Sequence, residues 1–301
     1  MTAKRKRRRS RSGGATETVE QETTQSRTPS TSRFAQESPF PPLAQSIAAG
    51  MRAVGSSPQI LVVAFLSLLA SWGAFVLLGA EPDPRGLAVL FPVPPVHVLG
   101  DAIVAIPRGT PTVTTIASVG GLAALRALTY GLLCLMIVRT LRDGTVSLLG
   151  ALRALPRIAL VFVGLYLAQF GLVLAGAQIL GLLLPQFGFL AIAAGLYLLG
   201  FAPIVAAAEG EGPGQAIRRG SRAARLPGTR HITLVMAYFL LLIYSGSIAP
   251  FPRLSPATPG IAAWSYALVF TFVHVSLLAA IAYRWLIVRE QVPVVAPRRK
   301  R

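Results

Sequence analysis

The chain has 301 residues, of which 53% are hydrophobic and only 13% are charged. In a typical soluble domain about a quarter of the residues are charged. This composition and a mean hydropathy of +0.60 therefore exclude an ordinary soluble domain. The formal net charge of +18 therefore has to lie outside the apolar segments of an integral membrane protein.

Residues 1–40 are predicted to be a disordered polybasic tail. They begin MTAKRKRRRSRSGG, continue rich in Ser, Thr, Gln and Glu, and offer almost nothing apolar to bury. The basic run suits anionic lipid headgroups or nucleic acid. Because no aromatic residue is interleaved with the basic ones, base stacking has no support. We interpret the segment as a solvated tail that reinforces the membrane topology, and we predict no specific nucleic-acid partner.

Six apolar runs follow, and each is close to the ~20 residues that a spanning helix requires. We predict an all-α integral membrane domain of six transmembrane helices over residues 41–290, followed by a basic tail, residues 291–301. The runs lie near Gln59–Ala80, Ile116–Val138, Ile158–Leu184, Phe187–Ala208, Ile232–Ala249 and Ile261–Val288.

The basic residues predict the orientation of these helices, because Lys and Arg near helix ends stay on the cytoplasmic side. Outside the apolar runs, one side receives every basic residue except Arg85, Arg108 and Arg253. Both termini are therefore expected in the cytoplasm, which an even number of spans also requires. The excess of arginine over lysine is typical of GC-rich bacterial genomes and favours the inner (plasma) membrane of a bacterium.

A weak internal repeat precedes the odd-numbered runs. The segments LAQSIAAGMRAV, VSLLGALRAL and PGQAIRRGSRAARL each place an arginine followed by alanine shortly before an apolar run that begins with isoleucine. The apolar residues of the first two segments fall on one helical stripe. We therefore predict three units, each made of a short amphipathic helix in the cytoplasmic interface and a helical hairpin.

The polar island AEGEGPGQAIRRGSRAARLPGTR, residues 208–230, belongs to the third unit. It lacks the spacing of a phosphate-binding loop and follows an apolar helix instead of a strand, so a nucleotide site is disfavoured. Projection at 100° per residue predicts an amphipathic helix with its basic residues on one face. These residues either contact lipid phosphates or pair with Glu209 and Glu211. They are Arg218, Arg219, Arg222 and Arg225.

Residues 201–225, FAPIVAAAEGEGPGQAIRRGSRAAR, resemble the six-helix membrane domain associated with some glycerophosphoryl diester phosphodiesterases, and related multi-pass families. The pattern is a proline with small apolar residues, then Glu-Gly, a further glycine and Ala-Ile-Arg-Arg. In such proteins a separate soluble barrel carries catalysis, and this chain leaves no room for one. The resemblance therefore implies a lipid-related or envelope role without enzymatic activity. The matching positions are Pro203, Glu209, Gly210, Gly212, Ala216, Arg218, Arg219, Ser221 and Arg222.

Catalytic and cofactor chemistry has little support elsewhere. The acidic residues lie in the tail, in loops or at helix ends, which disfavours a proton-driven transporter. His97, His231 and His274 are too far apart in sequence for a known ligand motif, and no hydrolase motif occurs. We expect no cofactor, no metal and no enzymatic activity.

Four of the polar residues within the apolar runs are candidates for a function. Arg126 is expected to snorkel to the interface, with a buried partner or a wet cavity as the alternative. His274, Gln169 and Gln178 are expected to form hydrogen bonds between helices, with a ligand site as the alternative. The alternative to a lipid-related or envelope role is a small-molecule transporter or permease. A polar cavity containing these residues would favour that alternative. A membrane-bound enzyme is a more remote possibility.

The predicted external loop, Glu81–Pro111, is apolar but broken by prolines, so it cannot span as an ordinary helix. We interpret it as a cap over the bundle. A surface that contacts lipid or a partner protein is the alternative.

Overall fold

The computed structural model describes residues 40–77, 113–144, 146–175, 193–226, 230–243 and 260–292. Within these ranges the chain forms helices and no strands, which confirms the predicted all-helical class. Residues 193–199 are also helical and precede α5. The helices are α1 (Leu43–Ser56), α2 (Pro58–Leu77), α3 (Val113–Asp143), α4 (Leu148–Ala175), α5 (Ala202–Glu209), α6 (Pro213–Arg225), α7 (His231–Ile243) and α8 (Ile261–Val288), and a 3₁₀ turn (Arg289–Gln291) extends α8.

The core lies around α3 and α8, which pack against each other. Residues 130–138 of α3 and residues 274–282 of α8 are all buried. A helix buried on every side needs apolar residues all round, and both segments have them. The other helices surround this pair, with α2, α4 and α5 against α3 and α1 against α8.

Three described helices are long and apolar enough to cross a membrane: Gly120–Asp143, Leu148–Ala168 and Ile261–Gln291. Leu43–Ser56 and Pro58–Ala74 count as a fourth span if the bent pair is taken together. This supports a membrane protein. The count of six spans stays a prediction, because parts of the third, fourth and fifth runs lie outside the described residues.

Large apolar side chains are exposed on the outside of the bundle at helical spacing. Leu160 of α4 is 86% exposed and Ile261 of α8 is 88% exposed. In α7, Ile232, Met236 and Leu240 form an exposed row at intervals of four residues. Water disfavours such rows, whereas lipid tails accept them. The exposed face of the bundle is therefore suited to hydrocarbon.

Helices α1 and α2 meet at a bend of 85°. Helix α1 then packs along α8, and Gly50 is the point of closest approach. A Cβ atom on Gly50 would overlap the carbonyl oxygen of Ser276 and lie 2.8 Å from the backbone nitrogen of Ala280. A helix forms before the first run, as predicted, but the face that it buries is made of small residues that permit this approach. Its location in the cytoplasmic interface stays a prediction.

The second copy of the predicted repeat differs from the first. Its segment, residues 146–155, does not form a separate helix, because α4 runs without interruption from Leu148 through Pro156. Proline inside a helix removes one hydrogen bond, and membrane helices tolerate this loss. In contrast, α6 is a separate helix between α5 and α7. The prediction of a separate amphipathic helix in every unit is therefore wrong for the second unit.

Candidate functional site: the basic end of the bundle

Several helix ends meet at one end of the bundle, which we call the basic end. At the end of α3, Arg142 donates to the carbonyl oxygen of Ala208 at 2.9 Å and pairs with Glu209 at 3.3 Å. The residues that follow α8 are held by α6, and the residues that precede α1 are held by α8. Most charged residues of the described ranges belong to these helix ends.

Gly210 fixes the turn from α5 to α6. Gly210 has a φ of 69°, which a residue with a side chain rarely adopts, and its N–H donates to the carbonyl oxygen of Ala206 at 2.9 Å. Gly212 precedes α6 in an extended conformation, and Pro213 occupies the first turn, where its missing N–H costs nothing. After this turn, α6 contacts the residues that follow α8.

Other positions of the 201–225 motif have local structural roles. Pro203 and Ala216 are buried, and the Ser221 hydroxyl donates to the carbonyl oxygen of Arg218 in its own helix. Gly220, which the motif does not include, allows α5 and α6 to approach closely. A Cβ atom there would lie 2.9 Å from the backbone nitrogen of Ala202. The 201–225 segment thus forms a close helix–helix joint.

The basic face of α6 contains three exposed arginines, not four. Arg218, Arg222 and Arg225 are exposed, but Arg219 is only 6% exposed. The prediction that Arg219 joins the lipid-facing row is therefore wrong. At 100° per residue Arg219 lies at the edge of the basic face, close to the buried Ala223, and its long side chain turns toward α8.

Arg219 is an anchor for the residues after α8. Its guanidinium donates to the carbonyl oxygen of Val292 at 3.1 Å from Nε and 2.9 Å from Nη2, and more weakly to that of Arg289 at 3.4 Å. It also pairs with Glu211 and lies 5.1 Å from the ring centroid of Trp285. Of the two acidic residues predicted to pair with the arginines of α6, Glu211 pairs with Arg219. Glu209 pairs instead with Arg142 of α3.

Arg284 anchors the residues before α1 in the same way. It is 1% exposed, and its Nη1 donates to the carbonyl oxygen of Pro41 at 2.9 Å and to the Ser46 hydroxyl at 3.2 Å. Its guanidinium lies 4.8 Å from the ring centroid of Phe40. Sequence reasoning missed this role, because an arginine at the end of an apolar run is usually a topological flank. Phe40 and Val292, which the sequence places in the tails, are both buried.

His231 lies at the start of α7 and is fully buried at the basic end. Its ring stacks on Phe201 with centroids 4.4 Å apart. Burial lowers the pKa of His231 from 6.5 to about 4, with a further contribution from the charge of Arg284, while the backbone of Tyr197 acts in the opposite direction. His231 is therefore neutral at physiological pH.

This lowered pKa predicts a dependence of stability on pH. Above pH 6.5, His231 is neutral in both the folded and unfolded states. As the pH falls from about 6.5 toward 4, only the unfolded state takes up the proton, so the free energy of unfolding decreases, by up to about 3 kcal/mol. We expect acidification from pH 7 to 5 to lower the melting temperature more in the wild type than in His231→Phe, which keeps the stacking. Equal shifts in the two proteins would contradict a neutral buried His231.

The structure changes the interpretation of Arg126. Its side chain is 2% exposed, so it does not snorkel, and the predicted outward orientation is wrong. It points into the bundle, where the Tyr166 hydroxyl of α4 is near enough to interact with it electrostatically. Arg126 lies within α3, and its burial depends on the neighbouring helices, which the sequence alone does not show.

The remaining intramembrane candidates are only partly placed. His274 is buried in α8, where the Tyr238 hydroxyl of α7 donates to its carbonyl oxygen at 3.1 Å and the two rings meet edge to face. This contact joins two helices through the backbone of His274, and the predicted hydrogen bond of its side chain stays a prediction. The side chain of Gln169, all of Gln178 and the loop 81–111 lie outside the described residues.

A cavity of about 10 Å³ lies between α3, α7 and α8. It has room for about one water molecule. Neither Arg126 nor His274 lines it; the lining residues are Tyr130, Leu196, Gly200, Val235, Tyr238, Leu278 and Ile281. This cavity is too small for a transported solute. Among the described residues, no three His, Cys, Asp or Glu side chains are grouped so that they could hold a metal ion.

Comparison with known proteins adds no relative. No protein-family model, no curated protein and no solved structure matches the chain. The function is therefore inferred from the geometry of the basic end.

Proposed function

We propose that this chain is a non-enzymatic multi-pass protein of a bacterial inner membrane, with both termini cytoplasmic, whose basic end contacts anionic lipid headgroups. The observation that carries the proposal is the exposed row formed by Arg218, Arg222 and Arg225 on α6. Exposed basic residues beside a negatively charged bilayer each contribute about 1 kcal/mol to its attraction.

The position of α6 in the chain supports a location at headgroup level. An apolar helical stretch, Ala193–Glu209, precedes it, and α7, with its exposed apolar row, follows it. A short helix between two lipid-compatible helices has little freedom to leave the membrane surface. Its buried face is fixed to the bundle, so the exposed arginines face outward toward the interface.

Neutralising the row tests the proposal. We expect the triple variant Arg218→Gln, Arg222→Gln and Arg225→Gln to retain less phosphatidylglycerol than the wild type in native mass spectrometry, because three contacts of about 1 kcal/mol together correspond to roughly a hundredfold in affinity. Added salt should weaken retention by the wild type in the same direction, since it screens exposed charges.

The matched control removes the same number of exposed charges from other helices. Arg52, Arg153 and Arg157 are exposed on α1 and α4, and their replacement by glutamine changes the net charge by the same amount. A smaller loss of phosphatidylglycerol in this control supports a role for α6 in particular. Equal retention by the wild type and the α6 variant would refute the proposal.

A further inference from the structure

A groove runs between α6 and the 3₁₀ turn that follows α8. Its volume is about 270 Å³ and it is open to the outside. The described residues that line it are Arg222, Arg225, Leu226, Gln291 and Val292. One wall is therefore cationic, and the inner surface is apolar.

This combination selects an anionic amphiphile. Arg222 and Arg225 are three residues apart on a helix, so their side chains are neighbours and both can donate to one phosphate. Leu226 and Val292 provide an apolar surface next to that phosphate, which a free inorganic anion would leave unused. A nucleic acid would instead need a long basic track. A phospholipid, with a phosphate joined to an apolar glycerol and acyl portion, matches both parts of the groove.

Arg219 supports the second wall of the groove, which Gln291 and Val292 form. Two of its hydrogen bonds go to the carbonyl oxygen of Val292, and Trp285 supports the guanidinium from α8. Glu211 compensates the buried charge. Arg219 does not line the groove, but it lies on the same helix as the two exposed arginines. It is therefore suited to be a positioning residue that sets the distance between the cationic wall and the apolar wall.

We propose that the groove between α6 and the 3₁₀ turn is a specific site for one anionic phospholipid, whose phosphate binds Arg222 and Arg225, and that Arg219 and Glu211 position the opposite wall. The inference rests on the proposed function, because it assumes that the basic end faces anionic lipid. It goes further by naming a saturable site with a single occupant, in place of a general attraction between charges.

The charge-neutral double variant Arg219→Met and Glu211→Met separates the two ideas. It removes one positive and one negative charge, so the net charge and the exposed row are unchanged, but the support of Val292 is lost. In a titration of the full-length protein with phosphatidylglycerol, followed by native mass spectrometry, we expect the wild type to bind one lipid saturably. The double variant should bind it at least tenfold more weakly.

A second pair of variants keeps the test valid if the double variant does not fold. Gln291 is exposed and lines the groove, so Gln291→Trp should fill it without disturbing the core, whereas Gln291→Ala should leave it open. We expect the tryptophan variant to lose the saturable lipid and the alanine variant to keep it, with equal melting temperatures. Inorganic phosphate at millimolar concentration should not displace the lipid, because it does not use the apolar surface.

Three results would overturn the inference. One is wild-type binding by Gln291→Trp. Another is displacement of the lipid by phosphate alone, and a third is preferential capture of a short RNA in place of the lipid. If the α6 triple variant loses lipid while Gln291→Trp binds normally, the proposed function survives and only the groove is wrong. If the triple variant binds normally, the proposed function fails as well.

Discussion

Replacing Gly50 by alanine is expected to destabilise the protein strongly. The added methyl group would overlap the Ser276 carbonyl oxygen and lie 2.8 Å from the Ala280 nitrogen, and both are backbone atoms of the central helix α8. Backbone cannot move aside as a flexible side chain does, so α1 must shift away from α8. Overpacking of this kind typically costs about 1–3 kcal/mol and occasionally more. We expect a marked fall in the melting temperature measured by fluorescence-detected size-exclusion chromatography.

Gly55 provides the control in the same helix. Apart from the adjoining residues and backbone of its own helix, no described atom lies within 4 Å of the position that its Cβ would occupy. Alanine is favoured over glycine in a helix by about 1 kcal/mol, so Gly55→Ala should be as stable as the wild type or slightly more stable. If Gly50→Ala and Gly55→Ala melt at the same temperature, then α1 does not pack on α8 as described.

Truncating Arg126 is the second change with a large expected effect. Because the side chain is among the largest that are fully buried, Arg126→Ala leaves an internal cavity and removes the charge that Tyr166 faces. Large-to-small substitutions in a core typically cost about 2–5 kcal/mol. We expect a clear loss of folded protein and a lower melting temperature in detergent.

Two further variants identify the reason for that loss. Arg126→Met keeps most of the volume without the charge, and buried ionic groups are often replaced by apolar residues of similar size at little cost, so it should be far more stable than Arg126→Ala. Arg153→Ala removes an exposed arginine of α4 and should change little. A wild-type melting temperature for Arg126→Ala would restore the snorkelling interpretation.

The all-helical class and the positions of the long helices follow from hydropathy alone. The apolar runs near Ile116–Val138 and Ile261–Val288 correspond closely to α3 and α8, because a helix buried on every side and a lipid-facing helix both require an uninterrupted apolar sequence. Hydropathy cannot distinguish these two environments. The sequence therefore does not reveal that α3 is central and α4 peripheral.

The amphipathic helices were predictable in their periodicity but not in their contacts. The arginine pattern indicated α6 and its basic face correctly, but a projection treats the helix as a cylinder and ignores what lies beside it. Arg219 lies at the edge of that face, and it turns inward toward Val292, Glu211 and Trp285, whose positions a projection does not show. Arg126 was misjudged for the same reason, because the choice between snorkelling and burial depends on neighbouring helices.

The hydrogen bonds from Arg284 of α8 to Pro41 and Ser46 bear on how the chain folds. Ser46, which accepts a hydrogen bond from Arg284, lies 238 residues away from it in the sequence. During synthesis α1 is made first among the described helices and α8 last, so the small-residue face of α1 has no α8 to pack against until all the other described helices have been made. Contacts of such high sequence separation form slowly. The completion of this bundle is thus a late event that joins the beginning of the described chain to its end.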